Sequence, residues 1–255
     1  MNNQVVVAIV QARMNSSRLP GKVMMKLGGK PAIQHIVERL RQSRLIDRVI
    51  VATTDTASDD GLANFCENEI KCSIFRGSET DVLDRTYKAS KIIMGNNVVI
   101  VDITGDCPLV DSRHVDEMIN EFIYSDLDYI SNTMTRSWPD GFDIQVYRQT
   151  AFSHIHRHVK DGNHRHHTGW NIIHYSYIFS AYGLRVMNIP APPDYYYPEW
   201  GLTLDDERDL KVLDIIFSYF KDNTFSAKDV IDYIKANPYI LDINSDVKRN
   251  LPGRG

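Results

Sequence analysis

The sequence predicts an α/β fold, a mainly parallel sheet flanked by helices, with a smaller α+β subdomain inserted late in the chain. Three observations predict it. Continuous apolar, β-branched runs at Val5–Val10, Arg48–Thr53 and Val98–Ile103 suit strands buried on both faces, as in a parallel sheet. Stretches with a helical period separate them, so strand and helix alternate over the first 130 residues. After Ser131 the pattern changes to an alternating strand, a histidine-rich stretch and a proline-rich run.

Val5–Val10 is the first strand, followed by a polar loop from Gln11 to Lys22. Pro31 stands where a first helical turn begins, a position where its missing N–H costs nothing. Ile33, Ile36, Val37 and Leu40 then recur at helical spacing on one face. With Arg48–Thr53 this completes a βαβ unit. A helix is expected over Ser58–Glu67, with Ser58 or Asp59 near its cap, and a short strand over Cys72–Phe75. A helix over Thr80–Met94 precedes the strand Val98–Ile103. A further helix over Asp111–Tyr124 sets Val115, Met118, Ile119 and Phe122 on one face, and a strand begins at Asp128. Beyond it, Phe142–Tyr147 alternates like a strand with one wet face, and Gly183–Ile189 reads as a strand. Pro190–Pro198 is too proline-rich for regular structure. Leu202–Leu204 reads as a short strand before helices over Asp205–Phe220 and Ser226–Ala236. The expected organisation is one α/β domain made of residues 1–131 and 191–255, with 132–190 as the insertion.

The chain has 255 residues, 43% hydrophobic and 24% charged, which excludes global disorder. No apolar run approaches the ~18 residues of a membrane span, and no signal-peptide pattern opens the chain. Three cysteines, Cys66, Cys72 and Cys107, have no ligand-like spacing, so a reducing cytoplasm is the expected compartment. A net charge of −4 gives no reason to expect nucleic acid as a partner, and none to expect a membrane. The distribution of that charge is uneven. Residues 1–46 carry eight Lys or Arg against one acid, Glu38, a net +7 that leaves −11 for the rest. Such a segment suggests a local anion site, although Arg39, Arg41 and Arg44 read as a solvated helix face.

Open parallel sheets bind ligands at the carboxyl ends of their strands, where the strand order switches. The loop after the first strand holds Arg13, Ser16, Ser17, Arg18, Gly21 and Lys22. It fits neither the dinucleotide fingerprint nor the P-loop. It does supply the cations and hydroxyls that a triphosphate requires; the alternative is a solvated basic loop. Asp106, after the strand Val98–Ile103, is of the type that binds Mg²⁺ together with substrate phosphates, or serves as a loop or cap residue. Asp205 and Asp206 carry the same two readings. Only a meeting of Asp106 and Asp205 in space makes a metal site of them.

The segments VAIVQARMNSSRLPGKVMMKLGGKPAIQHIVERL, VIVATTD, FRGSETDVLDR, ITGDCPLV, WPDGFDIQV and LTLDDERDL resemble, in this order and over nearly the whole chain, the cytidylyltransferases that activate acidic sugars. The nearest branch resembles spore-coat polysaccharide proteins of the SpsF type. Relatives make CMP-activated KDO (3-deoxy-manno-octulosonate) and CMP-activated sialic acids. The resemblance implies a Rossmann-like sheet of the nucleotide-diphospho-sugar transferase type, and an enzyme that moves CMP from CTP to a sugar hydroxyl with release of pyrophosphate, in surface polysaccharide or glycan biosynthesis. It implies Arg13, Arg18, Lys22 and Asp106 as catalytic residues. Ala12, Arg13, Ser16, Ser17, Lys22 and Thr104 would hold the nucleotide, with Thr53, Thr54, Asp55 and the Arg76–Arg85 loop, including Ser78 and Asp81, near its base and ribose. Asp106 and Asp205 would bind Mg²⁺. Asp140, Asp143, Gln145 and His166 would form the acceptor pocket, and the insertion would carry a homodimer contact.

The chain departs from that pattern in the acceptor half. Arg165-His166-His167-Thr168 replaces E-H-V-T, Asp143-Ile144-Gln145-Val146 replaces D-V-E-V, and Thr203 stands where KDO and sialate enzymes often have a second aspartate. Seven of nine histidines fall between His154 and His174. His154 and His158 share a helix face and form a candidate zinc pair with His164 or His166. No carboxylate or cysteine completes an obvious set, and a surface or interface role is preferred. The rival readings are a nucleotidyltransferase using another nucleotide or a phosphorylated alcohol, a non-catalytic nucleotide binder, and a glycosyltransferase. The last usually carries a D-x-D motif, which the loop after the strand Val98–Ile103 lacks.

Overall fold

The computed structural model describes residues 4–93, 97–160, 162, 164–166, 168 and 183–249. A seven-stranded sheet forms its centre. β1 (Val5–Gln11) lies between β4 (Arg48–Thr54) and β6 (Val98–Thr104), both parallel to it, and β5 (Ser73–Gly77) extends the parallel set beyond β4. β2 (Lys26–Leu27) and β3 (Lys30–Pro31) form a separate small hairpin. The chain therefore runs outward from β1 in both directions, and the order switches between β1 and β6. On the far side of β6 the order is β8 (Gln145–Arg148), β7 (Tyr129–Ser131) and β9 (Val186–Asn188). β8 runs antiparallel to both of its neighbours, and β7 and β9 are parallel.

Burial explains the apolar runs. Along β1, Val6, Ala8 and Val10 enter the core on one face, under Ile33, Ile36, Val37 and Leu40 of α1 (Ala32–Leu40). Val7 and Ile9 enter the opposite core, with Leu83 and Ala89 of α3 (Val82–Lys91). α4 (Ser112–Tyr124) adds Val115, Met118, Ile119 and Phe122 to the first core. A third cluster joins α6 (Glu207–Phe220) and α7 (Ala227–Ala236) to Leu202 and Leu204.

Several elements differ from expectation. Ser58–Glu67 is not one helix. A 3₁₀ turn at Ala57–Asp59 leads into the short α2 (Asp60–Asn64) and a π turn at Phe65–Glu69. Phe142–Ile144 keeps its alternation but not its ladder, because the Asn132 side chain bonds the Phe142 carbonyl and the Ile144 N–H instead. Leu202–Leu204 forms no strand; a single bridge pairs Asp140 with Gly201. Arg39 is not on a solvated face. It is buried, donates to the carbonyls of Val110, Asn223 and Phe225, and lies over the Phe225 ring. The segment 132–190 contributes β8 and β9 to the main sheet; α5 (Gln149–His158) belongs to it as well. Most of 161–182, with His167 and His174, falls outside the described residues.

Candidate active site

A cleft of about 320 Å³ opens at the carboxyl edge of the sheet, where β1 and β6 diverge. The loop after β1 forms one wall. Gly21, at φ +74°, turns it back so that the Gly21 N–H reaches the Met14 carbonyl at 2.7 Å; a left-handed turn of this kind suits glycine. The loop after β6 presses on the end of β1. The Gly105 N–H donates to the Gln11 carbonyl at 2.8 Å, and a Cβ on Gly105 would stand 2.6 Å from the same oxygen.

Asp59 ties the first wall down. Its buried carboxylate accepts from the Met14 N–H at 2.8 Å, from both hydroxyls of Thr53 and Thr54 at 2.7 Å and from the Thr54 N–H at 2.9 Å. Burial alone would raise its pKa, but these donors hold it below the usual carboxylate value.

Asp106 and Asp205 meet although they are ninety-nine positions apart. The Leu204 N–H donates to the Asp106 carbonyl at 2.8 Å, which brings the two loops side by side. Lys22 Nζ sits 2.8 Å from both Asp106 Oδ2 and Asp205 Oδ1, so those oxygens are at most twice that distance apart. Arg18 Nη2 reaches Asp205 Oδ2 at 3.0 Å. Burial of Lys22 works against its charge, but the two carboxylates outweigh it and raise its pKa. Burial pushes Asp106 up and Lys22 pulls it further down, so it lies below the ordinary value. The Lys22 ammonium holds the point on which the two carboxylates converge, so the pair would suit a hard divalent ion, with its other ligands from phosphate and water, once Lys22 turns from it into the open cleft.

Of the residues expected to act, Ala12, Arg13, Ser16, Ser17, Arg18, Lys22, Thr104, Asp106, Asp205 and His166 line this one cleft. The others lie elsewhere. Thr53 and Thr54 face Asp59. The Asp55 N–H pairs with the Gly77 carbonyl. Arg76 bonds the carbonyls of Thr54 and Thr56 and pairs with Asp60. Ser78 Oγ accepts from the Asp81 N–H, and Asp81 caps α3 and pairs with Arg165 at 2.6 Å. Arg136 holds Asp143 through two bonds and stands 3.5 Å from Asp140. Burial, then Asp143, raises the Asp140 carboxyl to about 7. Gln145 Oε1 accepts from the Tyr129 hydroxyl at 3.0 Å. In the histidine-rich stretch, His156 pairs with Asp84 at 2.8 Å and stacks on Tyr87.

A profile of the family described as cytidylyltransferase matches residues 7–138, more than half of the chain. The chain belongs to the cytidylyltransferase family. It is similar to the spore coat polysaccharide biosynthesis protein SpsF of Bacillus subtilis (strain 168), 30% identical over 91% of this chain and 95% of that protein. The 3-deoxy-manno-octulosonate cytidylyltransferase of Anaeromyxobacter sp. (strain Fw109-5) is 32% identical over 45% of each chain. Among solved structures, a cytidylyltransferase from Leptospira borgpetersenii serovar Hardjo-bovis (strain JB197) superposes with a TM-score of 0.86 at 29% identity, covering 96% of this chain and 99% of that one. The protein is thus a CTP-using nucleotidyltransferase.

Two residues of this cytidylyltransferase's cleft region, Gln11 and Asp59, escaped sequence reasoning, and Arg85, expected only as the end of the loop near the base and ribose, lies in the cleft wall. Arg85 lines the wall beside Arg13; it is buried, gives one bond to the Ser78 carbonyl, and its Nε meets no acceptor among the described residues. Burial, then Arg13, lowers its pKa to about 10. Gln11 Nε2 donates to the buried Asp102 at 2.6 Å and to Thr168 Oγ1 at 2.7 Å. Asp59 carried only the signal of a helix cap.

Proposed function

We propose that this cytidylyltransferase transfers CMP from CTP to a hydroxyl of an acidic sugar of the 3-deoxy-2-keto-aldonic type, releasing pyrophosphate, for a surface polysaccharide or glycan. The observation that carries the reading is the convergence of Lys22 and Arg18 on Asp106 and Asp205 at the switch in strand order. The similarity to a polysaccharide-biosynthesis protein and to a 3-deoxy-manno-octulosonate cytidylyltransferase supports the acceptor class.

The acceptor hydroxyl attacks the α-phosphorus of CTP, the bond from that phosphorus to the bridging oxygen of the β-phosphate breaks, pyrophosphate leaves, and the hydroxyl proton passes to solvent. Arg13, Arg18 and Lys22 bind the phosphate oxygens and offset the charge that builds in the transition state. Arg85, with a spare donor in the wall, adds to the same field. Asp106 and Asp205 would hold Mg²⁺, which when bound neutralises phosphate charge and orients the triphosphate. The loops hold nucleotide and acceptor in line, and orientation of this kind can supply ~7–11 kcal/mol of the barrier. The three cysteines are free and buried, which supports a reducing, cytoplasmic compartment, and a homodimer is the expected assembly.

The test is pyrophosphate release with CTP, UTP, ATP and GTP, each against a panel of 2-keto-3-deoxy sugar acids, neutral sugars and phosphorylated alcohols. The reading requires CTP with a sugar acid to be fastest. Faster turnover with a phosphorylated alcohol replaces the acceptor class. Faster turnover with another nucleotide overturns the reading altogether. Light scattering of the purified protein checks the dimer.

A further inference from the structure

The turn that presents Asp205 to the cleft is held from outside the cleft. The N–H groups of Asp205 and Asp206 both donate to one oxygen, Asp209 Oδ2, at 3.1 Å. Asp209 is the third residue of the capping box that starts α6, and it is fully buried. Its other oxygen accepts from Asn244 Nδ2 at 2.7 Å and from Arg249 Nη2 at 2.6 Å. Arg249 Nη1 donates to Thr203 Oγ1 at 2.9 Å, two residues before Asp205, and lies 3.9 Å from Asp140 Oδ2. The guanidinium occupies space that only a glycine leaves. A Cβ on Gly201 would stand 1.9 Å from Arg249 Cζ and would meet nothing nearer than that side chain. A buried carboxylate that loses its cation is strongly unfavourable, so without Arg249 the Asp209 side chain must shift toward water or toward another donor. Either movement drags the two N–H groups that define the turn.

We propose that Arg249 is a positioning residue for nucleotidyl transfer. Through Asp209 and Thr203 it sets the turn from which Asp205 projects, so the C-terminal segment determines the geometry of the carboxylate pair. Arg249 is not among the residues lining the cleft, so it acts through Asp205 rather than by touching the nucleotide. The inference rests on Asp205 serving the reaction, as in the reading above. It gives a chemical use to the Thr203 hydroxyl, which receives the Arg249 donor.

The experiment compares Arg249→Ala, Arg249→Lys, Gly201→Ala and the double variant Gly201→Ala/Arg249→Ala in the full chain. It measures pyrophosphate release and amide hydrogen exchange in the metal-free protein. A misplacement of about 1 Å in a catalytic constellation can cost up to about 10²-fold. The expected kcat loss for Arg249→Ala is therefore ~10- to ~100-fold, with KM for CTP within about threefold of the parent. Arg249→Lys recovers part of the loss. Gly201→Ala, whose methyl would stand closest to the guanidinium, reproduces it, and the double variant is no worse than either single change, as for groups acting as one unit. The amides of Asp205 and Asp206 exchange faster, while those of β1 and β6 keep their protection. Unchanged exchange at Asp205 and Asp206 overturns the proposal, as does a risen KM with intact kcat, or additive loss in the double variant. If Arg249→Ala does not fold, Gly201→Ala and Arg249→Lys decide the matter by the same criteria. A parent protein that releases no pyrophosphate from CTP defeats the functional reading, while the exchange data still judge whether Arg249 holds the turn.

Discussion

Asp59→Asn isolates the tether between the phosphate-side loop and the sheet. In the parent, Oδ2 receives three donors, from Thr53 and Thr54, and Oδ1 receives one, from Met14. The amide oxygen of asparagine takes the place with three donors. Its NH₂ group then faces the Met14 N–H, donor against donor. Hydrogen bonds to charged groups contribute ~1.5–3 kcal/mol each, so losing the Met14 bond alone should cost about that much. Asp59→Ala, which leaves four donors without their acceptor, should cost more. Met14 lies between Arg13 and Ser16, so the freed loop should also raise KM for CTP. Urea unfolding at a constant m value gives the stability change, and pyrophosphate release gives the kinetics. The pH dependence supplies an internal control. Asp59 has a folded pKa below its unfolded value of ~3.9. Its stabilisation is therefore fully present above that value and is lost as pH falls through the folded pKa. The gap between parent and Asp59→Asn should be constant above about pH 5 and should close in acid. A variant within ~0.5 kcal/mol of the parent and with unchanged KM would refute the assignment of Asp59 as the tether.

Three other outcomes are expected. Arg18→Ala and Lys22→Ala should each lower kcat/KM by ~10²-fold or more without unfolding the chain, because a charge-stabilising donor commonly contributes ~2.7–4 kcal/mol in the transition state; near-parental values in both would exclude them from the phosphate site. Asp106→Asn and Asp205→Asn should fold, lose Mg²⁺-dependent turnover and combine non-additively, a result read from the double-variant kinetics. Arg39→Met should destabilise the protein by at least ~2 kcal/mol, measured by urea unfolding, because it strands the carbonyls of Val110 and Phe225, while that of Asn223 keeps the Gln42 amide as donor.

The strands and helices that build the site were legible wherever burial imposed a period. Val5–Val10 and Val98–Ile103 are apolar at nearly every position because both faces of the sheet are covered, and Ile33, Ile36, Val37 and Leu40 repeat because one helix face is. The place of the basic loop was legible as well, since Arg13, Ser16, Ser17, Arg18 and Lys22 follow the first strand at the carboxyl edge of the sheet, where they line the cleft. What escaped was satisfied over long sequence distances. Arg39 looked like surface charge because its three carbonyl partners come from other segments. Thr53 and Thr54 lie at the end of β4, near the site in sequence logic, yet their hydroxyls turn to Asp59. Nothing local to Asp209 announces Arg249, forty positions later.

β8 lies between β6 and β7, with Gln145 in register with Asp102 on one side and Ser131 on the other. The strand that begins at Gln145 is thus woven into the sheet whose carboxyl edge carries the cleft, and Asp143 lies on its approach. A graft of 132–190 from a relative would have to reproduce both ladders or expose the backbone edge of β6, which invites pairing between chains. The insertion is therefore closed to exchange as a cassette, whereas single side chains on β8 and its approach can be changed without opening either ladder.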